Sequence, residues 1–340
     1  MPPEIFAIFH RNFPGDEALL RLIQARFETA GLGVEIYPAD RDEALATWRF
    51  APRVPPRHMV HLPRHWDVFV EADRQRLLDM ASGLAGRARG LVLHDGRDWF
   101  NRRGELLAAL SALERGLDER HDPTMVFLEY AAGLELDQYA QLIEEAQPLA
   151  HVSACIDTGH VTVFTARAVL HRLAPEVNPD EPGTLERVPR DRLVSAVETA
   201  ENQARDALRA LAQRLSRLAK PIHVHLHDGH LFSRWSVFPV SDHAPIGWDA
   251  GPDSCGRPLL GENGVAGFLR TLLGNGGLGR TSITLEVHPG RRRERRPLGP
   301  YAPLFARWSD LSHAEMTNAW IELLLAQHTL VRRIIEQVAR

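Results

Sequence analysis

The stretch IHVHLHDGH, from Ile222 to His230, alternates apolar residues with histidines and then breaks into a polar turn. Side chains of an extended strand point alternately to opposite faces. Val224 and Leu226 therefore share one face, and His223, His225 and His227 share the other. The apolar face suits a covering layer of helices. The imidazoles are either partly exposed residues of an edge strand or a set turned into whatever the strand encloses. Seven further short runs decide between these readings: IFAIFH (Ile5 to His10), VEIYPA (Val34 to Ala39), MVHLP (Met59 to Pro63), LVLHDG (Leu91 to Gly96), MVFLEY (Met125 to Tyr130), SACIDTGH (Ser153 to His160) and ITLEVHP (Ile283 to Pro289). Six of the seven carry a histidine, aspartate or glutamate among their last four residues. Ionisable groups are costly to bury unpaired. Their recurrence at the ends of apolar strands points to chemistry at one rim of a parallel sheet, gathered around a metal.

Between the runs lie stretches of helical period. Asp16 to Gly31 places Leu19, Leu20, Ile23 and Phe27 on one face, and Arg102 to Arg120 does the same with Leu106, Leu110, Leu113 and Leu117. Asp137 to Gln147, Asp191 to Ala219 and Ser312 to Arg340 repeat the pattern. Strand and helix alternate, as in stacked βαβ units, and eight such units close into a (β/α)8 TIM barrel. An open doubly wound sheet would carry a glycine-rich phosphate loop after its first strand, and HRNFPGD (His10 to Asp16) has none. The expected architecture is one barrel domain over residues 1–340. It carries long loops after strands six, seven and eight: Leu173 to Arg190, His230 to Gly261 and Pro289 to Pro300.

Composition narrows the setting. A net charge of −4 across 340 residues argues against a global field for nucleic acid or an anionic membrane. Two cysteines, Cys155 and Cys255, make no disulfide framework and fit a reducing compartment. The N-terminal segment lacks the pattern of a secretory signal, and no apolar run reaches the roughly 18 residues of a membrane helix. The expectation is a cytoplasmic protein.

The ordered run of short motifs resembles the xylose isomerase-like barrels, a superfamily that includes endonuclease IV and many sugar isomerases and epimerases. The likeness runs from His61 in VHLPR through His94 in LHDG, Glu129 in LEYAAG, Asp157 and His160 in IDTGH, His225 in HLHD and His243 in SDHAPIG to Glu286 in LEVH. It implies a central ion held by Glu129, Asp157, His225 and Glu286. A second ion would sit at Glu129 with His61 and His94, and a third at His160 and His243. Such oxygen and imidazole ligands suit Mn²⁺, Zn²⁺, Fe²⁺ or Co²⁺, one to three ions in all. The choice of His225 over His227 as ligand rests on its H-x-x-D spacing. Two departures from the endonuclease pattern stand out. Ser241 replaces an aspartate two residues before the loop histidine, and Asp228 is followed by Gly229 and His230 where the endonuclease has Ser-Lys.

Three functions are compatible with these residues. One is isomerisation or epimerisation of a small polyhydroxylated sugar or sugar phosphate, with Glu129 and Glu286 moving the proton and His160 touching a substrate oxygen. Another is multi-zinc phosphodiester hydrolysis at abasic DNA. The third is a non-catalytic barrel that binds a metabolite. His227 and the arginines Arg291 and Arg292 of RRRERR are further expected substrate contacts, since arginine forks match phosphate. The carboxylates disfavour the third reading, because folding alone has no use for them.

Overall fold

The structure, a computed structural model, describes residues 2–9, 17–53, 58–131, 133–179, 181, 184, 187–231, 243–247, 258–274, 276–287 and 313–339. Eight strands follow one another around a closed ring. They are β1 (Glu4–Phe9), β2 (Gly33–Ile36), β3 (His58–His61), β4 (Ala88–His94), β5 (Met125–Glu129), β6 (Val152–Asp157), β7 (Ile222–Leu226) and β8 (Thr281–Leu285). The ring closes where β1 lies parallel to β8, with Ile5 opposite Ile283 and Ala7 opposite Leu285. Helices α1 (Glu17–Ala30), α2 (Arg41–Trp48), α3 (Glu71–Gly83), α4 (Arg103–Glu119) and α5 (Leu136–Glu145) separate the first six strands in turn. Then come α6 (Thr158–Leu173) and α7 (Arg190–Ser216) before β7, α8 (Gly261–Gly274) before β8, and α9 (His313–Val338) at the end. The chain is a (β/α)8 barrel.

It divides into two compact units. The first comprises Met1–Ile156, Arg214–His225 and Asn275–Leu285, and so holds almost all of the strands. Inside its ring, Phe6, Met59, Val92, Phe127 and Cys155 form one buried apolar cluster. The strand period of two then fixes what stands one layer further along the same face. Two residues beyond Met59, Val92 and Phe127 are His61, His94 and Glu129, the last residues of β3, β4 and β5. The apolar cluster is thus the floor beneath a polar rim. Gly90 in β4 is part of that floor. A Cβ there would meet Cε2 of Phe127 at 2.5 Å and the Met125 carbonyl at 2.9 Å, so only glycine lets the ring lie flat against β4.

The second unit comprises Asp157–Gln213, Leu226–Gly274 and Glu286–Arg340. Ala196, Ala200 and Ala204 make an i, i+4 ladder along α7 and pack in one cluster with Ala166, Val169 and Leu170 of α6. In α9, Trp320 Nε1 donates to the Val287 carbonyl at 2.8 Å, and the Gln327 amide pairs with both backbone groups of Ile246.

One run differs from its sequence reading. SACIDTGH does not stay extended to His160: β6 stops at Asp157, whose Oδ1 accepts from the His160 backbone N–H at 2.6 Å and caps α6. An aspartate at this position satisfies an amide that the first turn leaves over, so the helix starts at once. The segment from Leu173 to Arg190 accordingly joins α6 to α7 instead of leaving β6 directly. Among the described residues, no helix is long and apolar enough to cross a membrane.

His328 on α9 gives the second unit a pH response of its own. Burial, assisted by Arg332, pushes its imidazole down to about 4 from an ordinary value of 6.5. The unfolded chain takes up that proton near pH 6.5 and the folded chain only near 4. The stability tied to the neutral ring is therefore complete above pH 6.5 and lost as pH falls toward 4. His328→Gln should flatten the decline of Tm over that window. Parallel declines in the two proteins would remove His328 from the account.

Candidate metal centre

The rim of the first unit gathers around Glu129, which is buried. The β4–β5 register sets His94 directly beside Glu129. Glu129 Oε2 lies 3.1 Å from His61 Nε2 and 3.3 Å from His94 Nε2, and Oε1 lies 3.5 Å from His225 Nδ1. Tyr37 stacks on the His61 ring at 4.5 Å between centroids. Burial works to raise the Glu129 carboxyl, but His94, His225 and His61 overcome it and hold the group well below the usual carboxylate range. The carboxylate stays ionised. Burial lowers His61, yet the ion pair with Glu129 leaves that imidazole raised.

The second unit carries its own group: Asp157, His160, His227, His243 and Glu286. Asp157 Oδ1 lies 2.9 Å from His227 Nε2, and Oδ2 lies 3.2 Å from His160 Nδ1. His243 Nε2 lies 3.5 Å from Glu286 Oε2, and the His243 ring stacks on His227 at 4.2 Å. Against the opposing effect of burial, His160 and His227 lower the Asp157 carboxyl. Asp228 has another task. It accepts from the backbone N–H of Gly229, Leu260 and Gly261 and pins the turn after β7, and burial pushes its carboxyl up to about 6.

The ring nitrogens show what these groups are suited to hold. His61 Nδ1 faces the Leu62 carbonyl at 3.1 Å, and His227 Nδ1 faces the Asp228 carbonyl at 3.1 Å. A carbonyl oxygen only accepts, so both Nδ1 atoms carry the proton. Each Nε2 is then left facing a carboxylate oxygen, Glu129 for His61 and Asp157 for His227. A bare nitrogen and a carboxylate oxygen repel at such distances unless a cation lies between them. A proton can fill that place, and so can a metal ion. One ligand atom from each of His61, His94 and Glu129 falls within 4.8 Å of the others, and the same holds for Asp157, His227, His243 and Glu286. Both groups could therefore hold a divalent ion. The donors of both groups are oxygen and imidazole nitrogen.

No family model matches the chain, and no curated protein matches it. Among solved structures, it is similar to the carboxyl transferase domain of Rhizobium etli pyruvate carboxylase. With 3-hydroxypyruvate bound, the match has a TM-score of 0.36 at 10% identity and covers 98% of this chain and 48% of that one. Without that compound the TM-score is 0.37, again at 10% identity, with 98% and 47% covered. The chain spans about half the length of these structures. At that level of likeness no chemistry transfers from them.

The expected site residues fall as follows. His61, His94, Glu129 and His225 meet in the first unit, while Asp157, His160, His227, His243 and Glu286 belong to the second. His160 stands on the first turn of α6 and not on a strand. Arg291, Arg292 and the rest of the arginine run lie outside the described residues, as do Ser241 and Asp242. One buried carboxylate escaped the sequence reading altogether. Glu35 on β2 contacts His223 and His225 of β7 and Thr284 of β8. The available signal was a lone glutamate in GVEI, a strand whose four residues are all buried.

Proposed function

We propose that the protein is a divalent-metal-dependent isomerase or epimerase of a sugar or sugar phosphate. The observation that carries this reading is the set of buried carboxylates and histidines at the strand ends, with imidazole nitrogens turned toward ionised oxygens. Read with the resemblance to xylose isomerase-like barrels, the carboxylates and imidazoles of these groups would supply the ligands of a bound Mn²⁺, Zn²⁺, Fe²⁺ or Co²⁺. A bound divalent ion supplies Lewis acidity toward a neighbouring carbonyl and hydroxyl of the substrate. The remaining work belongs to the chain. On this reading Glu129 takes a carbon-bound proton and Glu286 returns one. His160, oriented through its Nδ1 by Asp157, is suited to contact a substrate oxygen with the rest of its ring.

Solvent-hydrogen exchange into a panel of aldoses and ketoses tests this reading. With metal present, exchange should occur on at least one sugar and fall by about 10²-fold or more in Glu286→Gln. Absence of exchange across the panel, with metal bound, would overturn the proposal. The presence of a carboxylate–imidazole group in each unit favours a second reading, multi-ion hydrolysis of a phosphodiester. Its signature is two or three ions per chain together with metal-dependent nicking of abasic DNA.

A further inference from the structure

We infer that Glu35 is a positioning residue that fixes the tautomer of His225, so that this histidine meets a metal through Nδ1 while His61 and His227 do so through Nε2. The inference rests on the metal-binding part of the proposed function and not on its substrate. Glu35 is fully buried, and both of its carboxylate oxygens face hydrogen-bonding side chains. An ionised carboxylate only accepts hydrogen bonds. Glu35 Oε1 lies 3.0 Å from His225 Nε2, and Oε2 lies 3.1 Å from His223 Nε2 and also accepts from the Thr284 hydroxyl. His225 Nε2 must therefore carry its proton. Its Nδ1 is the nitrogen turned toward Glu129 Oε1, at 3.5 Å.

The rest of the network agrees with this assignment. His223 gives its Nε2 proton to the same carboxylate, and its Nδ1 accepts from the Ser282 hydroxyl at 2.8 Å. Its ring packs against Phe127 and Phe6 of the apolar floor, with centroids 5.5 and 6.2 Å away. His223 is thus the structural partner of Glu35, and His225 the functional one. Glu35 does for His225 what backbone carbonyls do for His61 and His227. A carbonyl beside Nδ1 leaves Nε2 for the ion, whereas a carboxylate beside Nε2 leaves Nδ1. Such outer partners typically change metal affinity by 10- to 100-fold.

Two-bond ¹H–¹⁵N correlation spectra of histidine-labelled protein read the tautomer directly, with the His225 signals assigned by their loss in His225→Gln. Nε2 should bear a proton before and after Zn²⁺ is added, and zinc should leave Nδ1 unprotonated with a metal-shifted resonance. A proton on Nδ1 with a bare Nε2, in either state, would overturn the inference. So would a His225 spectrum that zinc does not change. Calorimetric titration of Glu35→Ala with Zn²⁺, under conditions where circular dichroism shows it folded, should find affinity weakened 10- to 100-fold, and unchanged affinity would also overturn it. Zinc seated on Nδ1 without hydrogen exchange in any sugar would leave the inference standing and remove the isomerase reading alone.

Discussion

Asp157→Ala should abolish tight metal binding by the second unit and lower stability by about 0.5–2 kcal/mol, the usual range for a lost helix cap. The two losses have different causes. The cap depends on an oxygen accepting from the His160 amide, and the ion depends on negative charge beside His227 and His160. Asp157→Asn separates them, because its amide oxygen can still cap α6 but brings no charge. Thermal unfolding of the asparagine variant should stay near that of the parent, while zinc binding by calorimetry falls at least 100-fold. Full affinity in the asparagine variant would show that Asp157 is a cap and nothing more. His243→Ala should be milder, since Asp157, His227 and Glu286 remain.

The second large effect concerns stability. Glu35→Ala should cost about 3 kcal/mol or more, since three buried donors lose their acceptor at roughly 1–3 kcal/mol each. The carboxylate accepts from two imidazoles and a hydroxyl in the barrel interior, and its loss leaves those buried donors without their acceptor. Urea denaturation should show a lower midpoint with little change in slope. A shift under 1 kcal/mol would mean that the neighbouring side chains reorganise to satisfy one another.

Much of the rim was legible in the sequence because each rim residue is announced by the apolar run before it. His61, His94, Glu129 and Asp157 are the final residues of β3 to β6, and period-two parity alone puts each on the face of the apolar residue two places earlier. Glu35 was not legible in the same way. It lies 188 and 190 residues from His223 and His225, and β1 and β8 stand between its strand and theirs in the ring. Only closure brings the three side chains together, and no local pattern encodes that. The start of α6 was hidden for another reason. IDTGH carries a capping aspartate, but the apolar run before it reads as a strand that continues. The structure resolves the ambiguity through one hydrogen bond from His160 to Asp157.

The meeting of β1 with β8 also sets an order of assembly. As the chain leaves the ribosome, Glu35 is made long before His223, His225, Ser282 and Thr284, and its partners arrive only when the last strand seals the ring. Contacts so distant in sequence are slow to form, because loop entropy must be overcome before they contribute. A nascent barrel therefore carries an unsatisfied acid at its centre until the final strand docks. On the proposed reading, capture of an ion through His225 should be a late event, and during refolding a metal-sensitive signal should mark ring closure and not the earlier collapse of the first strands.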